Sequence, residues 1–171
     1  MQHSQTLHLV YGPVAAGKST YARKLSAEVN AIRFAIDEWM HALFEADRPD
    51  KLDMAWIVPR VGRCRTMIWS MCSQVLASGR DVVLEIGLMR ETERAAMKSL
   101  VDESGHGCAF HFVDAPRNVR LTRTLQRNHE KGPTYSFDVT PAMFEAMELH
   151  FERPTQREMG HTMTVTPNAH A

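Results

Sequence analysis

The chain has 171 residues, of which 44% are hydrophobic and 23% charged, and its 20 basic and 20 acidic side chains cancel. This length suits a single domain with a proper hydrophobic core, and we expect residues 1–171 to form one. A neutral chain has no general attraction to nucleic acid or to anionic membranes, so we expect neither as a partner.

The amino-terminal sequence, the apolar runs and the cysteines indicate the cellular location that we expect for the protein. The amino-terminal sequence MQHSQTLHLV has neither a charged leader nor a long apolar core, and no apolar run in the chain approaches membrane-spanning length. The three cysteines are odd in number and scattered, which favours reduced thiols over a disulfide framework. These features predict a cytoplasmic protein, and we expect a monomer or a homodimer.

Apolar, β-prone runs alternate with helical patterns along the chain. The first half is predicted to contain a strand at 7–11, a helix from Lys18 to about Val29, a strand at 32–36, a helix at 37–46 with Asp37 as its N-cap, and a helix from Met54 to Ser78. The second half is predicted to contain strands at 81–87, 108–115 and within 161–167, and helices at 90–105, from Pro116 to about Asn128, and from Thr140 to about Phe151. Such alternation predicts an α/β fold with a parallel sheet.

A phosphate-binding motif lies between the first predicted strand and the first predicted helix. Residues 12–19, GPVAAGKS, fit the P-loop pattern G-x-x-x-x-G-K-[ST]. In such a loop, successive backbone N–H groups, here including those of Ala15 and Ala16, hold phosphate oxygens together with the positive end of the helix. Gly12 and Gly17 allow a close approach that a Cβ would block. The motif therefore predicts a binding site for ATP.

Three side chains at the end of this loop are candidate ligands. Lys18 is expected to reach the β- and γ-phosphates. Ser19 is expected to place its hydroxyl on Mg²⁺, and Thr20 is positioned for the α-phosphate.

Two carboxylates follow predicted strands. Asp37 comes directly after the second strand, where it would face the P-loop and could accept a proton from a hydroxyl that attacks the γ-phosphate. Glu85 ends the apolar run VVLE, where it would hold a water on Mg²⁺, or alternatively pair with Arg80 or Arg90. Glu38 is expected to be a solvated helix residue.

Arginines follow the fourth predicted strand at helical spacing. Arg117, Arg120, Arg123 and Arg127 are three, three and four residues apart, which places them near one helix face. Together with the glycine- and proline-punctuated loop that follows, they predict a lid around 117–140 that closes over ATP and brings guanidinium groups to the transferring phosphate. A solvated basic stripe is the alternative.

The long third helix carries three further arginines. At least one of Arg60, Arg63 and Arg65 could hold an anionic group of a substrate by a bidentate contact. Most basic residues on helices bind no ligand, so a solvated position is the alternative.

The order of these motifs resembles that of a known group of enzymes. The chain resembles the small P-loop kinases often described only as AAA-family ATP-binding proteins, with gluconate kinase, chloramphenicol phosphotransferase and zeta-toxin kinases as relatives, through GPVAAGKST, IDEWM, VVLEIGLMRETER, VDAPRNVRLTRTLQRN and VTPAMFEAMELHFERPTQRE. The resemblance covers about residues 7 to 160.

The resemblance implies a fold and residue roles. It implies an adenylate-kinase-like five-stranded parallel sheet in the order 2-3-1-4-5, with helices on both faces. It implies that Asp37 matches the catalytic carboxylate of the phosphotransferase and the toxin kinases. The segment TRTLQRN implies that Arg123 stacks on adenine and that Arg127 reaches the phosphates.

These observations predict a kinase that uses ATP and Mg²⁺ to phosphorylate a hydroxyl of a small molecule. In this interpretation Lys18, Asp37 and Arg127 are catalytic, and Ser19 and Glu85 hold the metal. A 5′-hydroxyl nucleoside or polynucleotide kinase is a second hypothesis. An ATP-binding sensor without turnover is a third.

Overall fold

Five parallel strands form one sheet in the order β2-β3-β1-β4-β5. The computed structural model describes residues 5–49, 53–132 and 138–167. The strands are β1 (Thr6–Tyr11), β2 (Ile32–Ala35), β3 (Val82–Glu85), β4 (Gly107–Val113) and β5 (Thr162–Val165). The predicted α/β fold, with its five-stranded parallel sheet and this strand order, is confirmed.

Helices connect these strands. They are α1 (Lys18–Glu28), α2 (Ile36–Phe44), α3 (Met54–Ala77), α4 (Glu91–Glu103), α5 (Arg117–Glu130), α6 (Pro141–His150) and α7 (Gln156–Met159). The single turn of α7 was not predicted, because one turn shows no apolar periodicity and is held by a capping box of Thr155 and Glu158. The predicted N-cap Asp37 is wrong, since α2 begins earlier and Ala35 occupies that position. None of the helices in the described parts of the chain is long and apolar enough to cross a lipid bilayer.

Helices cover both faces of the sheet, because alternate residues of a strand point to opposite sides. On one face, Leu7, Leu9 and Tyr11 of β1 pack in a cluster with the buried side chains of α3, which are Cys64, Ile68, Cys72 and Leu76. On the other face, Val10 packs with Ala22 and Leu25 of α1. Each fully buried aliphatic side chain contributes about 1.5–3 kcal/mol, so these two layers hold the sheet between its helices.

Buried arginine–glutamate pairs attach the C-terminal helices. Arg94 of α4 is 1% exposed and donates to both carboxylate oxygens of Glu158, at 2.6 and 3.0 Å. Arg120 of α5 is 2% exposed and donates to both oxygens of Glu148 on α6, each at 2.6 Å. Removing one member of such a pair leaves a buried charge without a partner, so the pairs fix the positions of α6 and α7.

Because the strands are parallel, the carboxyl ends of β1, β2 and β3 lie at the same edge of the sheet. The carboxyl end of β1 leads into the glycine loop, that of β2 leads into α2, and that of β3 is Glu85. In an open parallel sheet, the crevice outside this edge is where ligands bind.

Candidate active site

A cleft of about 910 Å³ opens at the carboxyl edge of the sheet. Its lining includes these residues predicted for the site: Gly12, Ala15, Gly17, Lys18, Ser19, Thr20, Asp37, Glu85, Arg123 and Arg127. The side chain of Ala16 lies elsewhere, because it is fully buried in the cluster between the sheet and α1. A binding role for Ala16 is therefore restricted to its backbone.

The loop after β1 needs its glycines. Gly12 has φ 153°, and a Cβ there would lie 2.0 Å from the carbonyl oxygen of Val113, which no side chain can tolerate. Gly17 has φ 99° and is the N-cap of α1, and no side chain of the described residues caps that helix. The N–H groups of the first turn are therefore open to an anion, and the helix dipole favours negative charge there.

Lys18 folds back onto the loop. Its Nζ donates to the carbonyl oxygen of Pro13 at 2.8 Å. Burial lowers the pKa of Lys18, the carboxylates of Glu85 and Asp37 act in the opposite direction, and Arg127 adds to the lowering. The four charged groups thus act on one another across the cleft, which is where a triphosphate would be neutralised.

Ser19 and Glu85 are direct neighbours. The Ser19 hydroxyl donates to Oε1 of Glu85 at 2.7 Å, and Nη1 of Arg33 donates to Oε2 at 3.4 Å. Burial raises the pKa of Glu85, and the hydrogen bond from Ser19 and the charge of Lys18 oppose the rise.

The predicted alternative partners of Glu85 are wrong. Its guanidinium partner is Arg33 of β2, because β2 and β3 pair along the sheet and Ala35 lies opposite Glu85. Arg80 instead donates to the amide oxygen of Asn30 at 3.0 Å.

The oxygen atoms of Ser19 and Glu85 suit a hard cation such as Mg²⁺ that also binds water or phosphate. A hydroxyl and a carboxylate oxygen side by side are ligands that Mg²⁺ accepts. No group of three or more His, Cys, Asp or Glu side chains that could hold a metal occurs in the described ranges. A cation at Ser19 and Glu85 would therefore take most of its ligands from phosphate oxygens and water.

Two acidic residues lie in the first turn of α2. Asp37 lies in the first turn of the helix and lines the cleft. Glu38, expected to be solvated, also lines the cleft and accepts hydrogen bonds from Arg33 and, at 3.0 Å, from Arg23. Burial would raise the pKa of Glu38, but the hydrogen bonds from Arg33 and Arg23 outweigh it and hold the pKa below its usual value.

The four arginines of α5 do not act as one face. Arg123 and Arg127 line the cleft. Arg117 pairs with Glu145, and Arg120 is buried against α6 as described above, so neither is among the described residues that line the cleft, and the lid itself stays a prediction. The acidic partners on α6 explain the difference, because a buried guanidinium must be paired. Part of the predicted lid, residues 133–137, lies outside the described residues.

The arginines of α3 also lie outside the cleft. Arg65 donates to Glu93 at 2.9 Å. Arg60 stacks on the ring of Trp56 at 4.2 Å, and Arg63 lies over Phe44. None of these arginines is among the described residues that line the cleft, so the structure does not support an anion-binding role for them.

Several residues that line the cleft were not predicted. They include Arg23, Glu38, His41, Leu88, Met89, Gln126, Glu130, Val139, Met147 and Pro167. Two of them had a signal in the sequence. His41 follows Asp37 by one helical turn, and Pro167 follows a parallel strand whose end must reach the same edge.

Comparisons with known proteins agree with this geometry. A family model described as an AAA domain matches residues 7–154. No protein of curated function matches the sequence significantly.

The chain is similar in fold to several solved structures. These include a proposed kinase from Chloroflexus aurantiacus, with 19% identity and a TM-score of 0.75 over 96% of this chain and 86% of that one. A gluconokinase from Sinorhizobium meliloti has 17% identity and a TM-score of 0.56 over 96% and 83%. An APS kinase from Mycobacterium tuberculosis, in complex with AMPPNP and APS, has 14% identity and a TM-score of 0.59 over 99% and 92%. The fold of the chain is that of these P-loop kinases. Because the family model spans most of the sequence, the chain belongs to the AAA domain family.

Proposed function

We propose that the protein is a kinase that transfers the γ-phosphoryl group of ATP to a hydroxyl of a small molecule, with Mg²⁺ bound. The observation that carries the proposal is that Asp37 lines the same cleft as Lys18, Ser19 and Glu85. A protein that only binds nucleotide needs the glycine loop, but it does not need a carboxylate such as Asp37 in the same cleft. A kinase needs such a carboxylate to accept the proton of the attacking hydroxyl.

The loop and α1 would hold the triphosphate. The N–H groups at the amino end of α1 would donate hydrogen bonds to the β-phosphate, and Nζ of Lys18 would exchange the Pro13 carbonyl for phosphate oxygens. The charge of phosphate would favour the protonated amine, which burial disfavours in the free protein.

Ser19 and Glu85 would hold the Mg²⁺ ion. The Ser19 hydroxyl would turn from Glu85 to the cation, and Glu85, still bonded to Arg33, would orient a water on it. Bound Mg²⁺ supplies neutralisation of the charge on the β- and γ-phosphates.

Asp37 would act on the acceptor. Its carboxylate orients the hydroxyl and accepts its proton as the oxygen forms a bond to the γ-phosphorus and the bond to the β-bridging oxygen breaks, which releases ADP. Arg127 would stabilise the charge on the transferring group, and Arg123 would pack on the base. Both line the cleft from α5.

The fold neighbours support this proposal. The APS kinase structure contains AMPPNP and APS, so a chain of this fold can hold a nucleotide and an acceptor together. A cytoplasmic location, a single-domain organisation, and a monomeric or homodimeric state stay predictions.

The test replaces one carboxylate. Asp37→Asn should bind ATP as the wild-type protein does and should transfer phosphate at least about a hundredfold more slowly, the usual contribution of general-base catalysis. Asp102→Asn is the matched control, because Asp102 is half-exposed and pairs with Lys98 on α4. Full activity of Asp37→Asn would refute the role of the carboxylate.

The alternative functions are outcomes of the same assay. Transfer to the 5′-hydroxyl of nucleosides or oligonucleotides would favour the nucleoside or polynucleotide kinase. ATP binding without transfer to any of a panel of sugars, nucleosides and antibiotics would favour the sensor.

A further inference from the structure

The two ends of the cleft differ in charge. The glycine loop follows the central strand β1, with β3 and β2 on one side and β4 and β5 on the other. The β4 side is lined by Arg123 and Arg127 of α5. The β2–β3 side, which we call the acceptor end, is lined by Asp37, Glu38, His41, Leu88 and Met89.

The cations near the acceptor end are already paired. Arg23 donates to Glu38 at 3.0 Å, and Arg33 donates to Glu38 and, at 3.4 Å, to Glu85. Arg33 is held in place, since its side chain is only 13% exposed. Of the basic side chains described at this end, Arg23 is bonded to Glu38, and His41 lies 3.7 Å from Glu45.

The helix that follows α2 does not supply another cation. Arg60 and Arg63 pack on aromatic rings, and Arg65 is bonded to Glu93 and to the carbonyl oxygens of Ile86 and Gly87. None of these three arginines is among the described residues that line the cleft.

An acidic acceptor would meet two carboxylates here. Its anionic group would face Asp37 and Glu38 without an uncommitted cation among the described residues, and would lose its hydration as well. Leu88, at 5% exposure, and Met89 instead offer apolar contact to a carbon skeleton.

We infer that the acceptor is an uncharged hydroxyl compound, such as a neutral sugar or nucleoside, and not an acid, phosphate ester or sulfate ester. This inference rests on the proposed function. The inference is carried by the position of Asp37 next to Glu38, which accepts hydrogen bonds from the guanidinium groups of both Arg23 and Arg33.

Matched acceptors test the inference directly. The whole chain is incubated with ATP, Mg²⁺ and a small-metabolite extract, phosphorylated products are identified by mass spectrometry, and each accepted compound is then compared with its carboxylic or phosphorylated derivative. We expect the accepted compounds to be uncharged. Their kcat/KM should be at least about tenfold above that of the anionic derivative, because burying a charge without a partner is costly.

Two different failures are distinguishable. Transfer to anionic acceptors alone, or a preference for the anionic derivative, would overturn the inference and leave the kinase standing. Intact ATP binding with no transfer to any compound would overturn the proposed kinase, and this inference with it.

A charge variant tests the cause. Glu38→Gln removes the negative charge that pairs with Arg23 and Arg33, so discrimination against the anionic derivative should fall about tenfold. Glu28→Gln is the control, because Glu28 is exposed on α1 and pairs with Lys24 at 3.7 Å, and discrimination should not change. Unchanged discrimination in a folded Glu38→Gln protein would contradict the reasoning. The comparison of acceptors on the wild-type chain decides the inference even if this variant does not fold.

Discussion

Replacing Glu148 tests whether Arg120 stabilises the fold or serves the bound phosphate. The guanidinium of Arg120 donates to Glu148 twice at 2.6 Å, to the carbonyl of Ala115 at 2.8 Å and to that of Val14 in the glycine loop at 3.3 Å. Its side chain is 2% exposed, so it has little access to water once the carboxylate is gone. In Glu148→Gln, the charge of Arg120 stays buried and loses its closest counter-ion, and Asp114 Oδ1 remains 4.0 Å from Nε of Arg120.

The expected loss follows from burial and from the number of hydrogen bonds. Removing one partner of a buried pair typically costs 3–5 kcal/mol. The Glu148 side chain is 19% exposed, so water can compensate part of this, and we expect a loss of about 2–4 kcal/mol in the free energy of unfolding. For a chain of this size, that corresponds to a fall in Tm of about 5–15 °C.

The loss should depend on pH. The hydrogen bonds from Arg120 hold the pKa of Glu148 below its usual value, and burial opposes them only in part. A carboxyl with a lowered pKa adds stability above its unfolded-state pKa and loses it as the pH falls through the folded-state pKa. The difference between wild type and Glu148→Gln should therefore be largest at neutral pH and shrink below about pH 4.

Urea unfolding followed by circular dichroism measures this difference. Glu145→Gln is the matched control, one turn earlier on α6, because Glu145 pairs with Arg117 and both side chains are more than half exposed. We expect the control to change stability by less than about 0.5 kcal/mol. A loss below about 1 kcal/mol in Glu148→Gln would refute a structural role for the pair and would return Arg120 to the candidates for phosphate binding.

Two further predictions concern the glycine loop and a buried histidine. Gly12→Ala places a Cβ against the Val113 carbonyl oxygen, so we expect ATP affinity, measured with a fluorescent analogue, to weaken at least about tenfold; unchanged affinity would contradict the loop geometry. Burial, together with the nearby His8, lowers the pKa of His111, which is bonded to Tyr21, to about 4. The unfolded chain therefore binds the proton first, and stability should fall by on the order of 3 kcal/mol as the pH drops from about 6.5 to about 4. Urea unfolding should show a much flatter profile for His111→Gln, and parallel profiles would contradict this prediction.

The sequence predicted those features that depend on local pattern. The glycine loop, the strands and most helix positions follow from short-range spacing and from backbone chemistry that only glycine allows. The strand order came from resemblance, and it places Asp37 and Glu85 at the edge where the loop lies. The roles of these residues stay predictions, because position alone does not show catalysis.

The partners of charged side chains could not be predicted in the same way. Glu148 and Glu158 lie 28 and 64 residues from the arginines that they pair with. Arg120 has the same helical spacing as Arg123 and Arg127, and its burial is decided by the packing of α6. Arg33 illustrates a case that topology could have identified, because a strand order with β2 beside β3 brings it next to Glu85.

A structure of the protein with Mg²⁺ and a non-hydrolysable ATP analogue tests the central claim most directly. The account predicts that the triphosphate lies in the loop with Lys18 released from Pro13, that the cation contacts Ser19, and that the carboxylate of Asp37 faces the γ-phosphate. An empty loop at saturating nucleotide, or an Asp37 carboxylate turned away into bulk solvent, would contradict it.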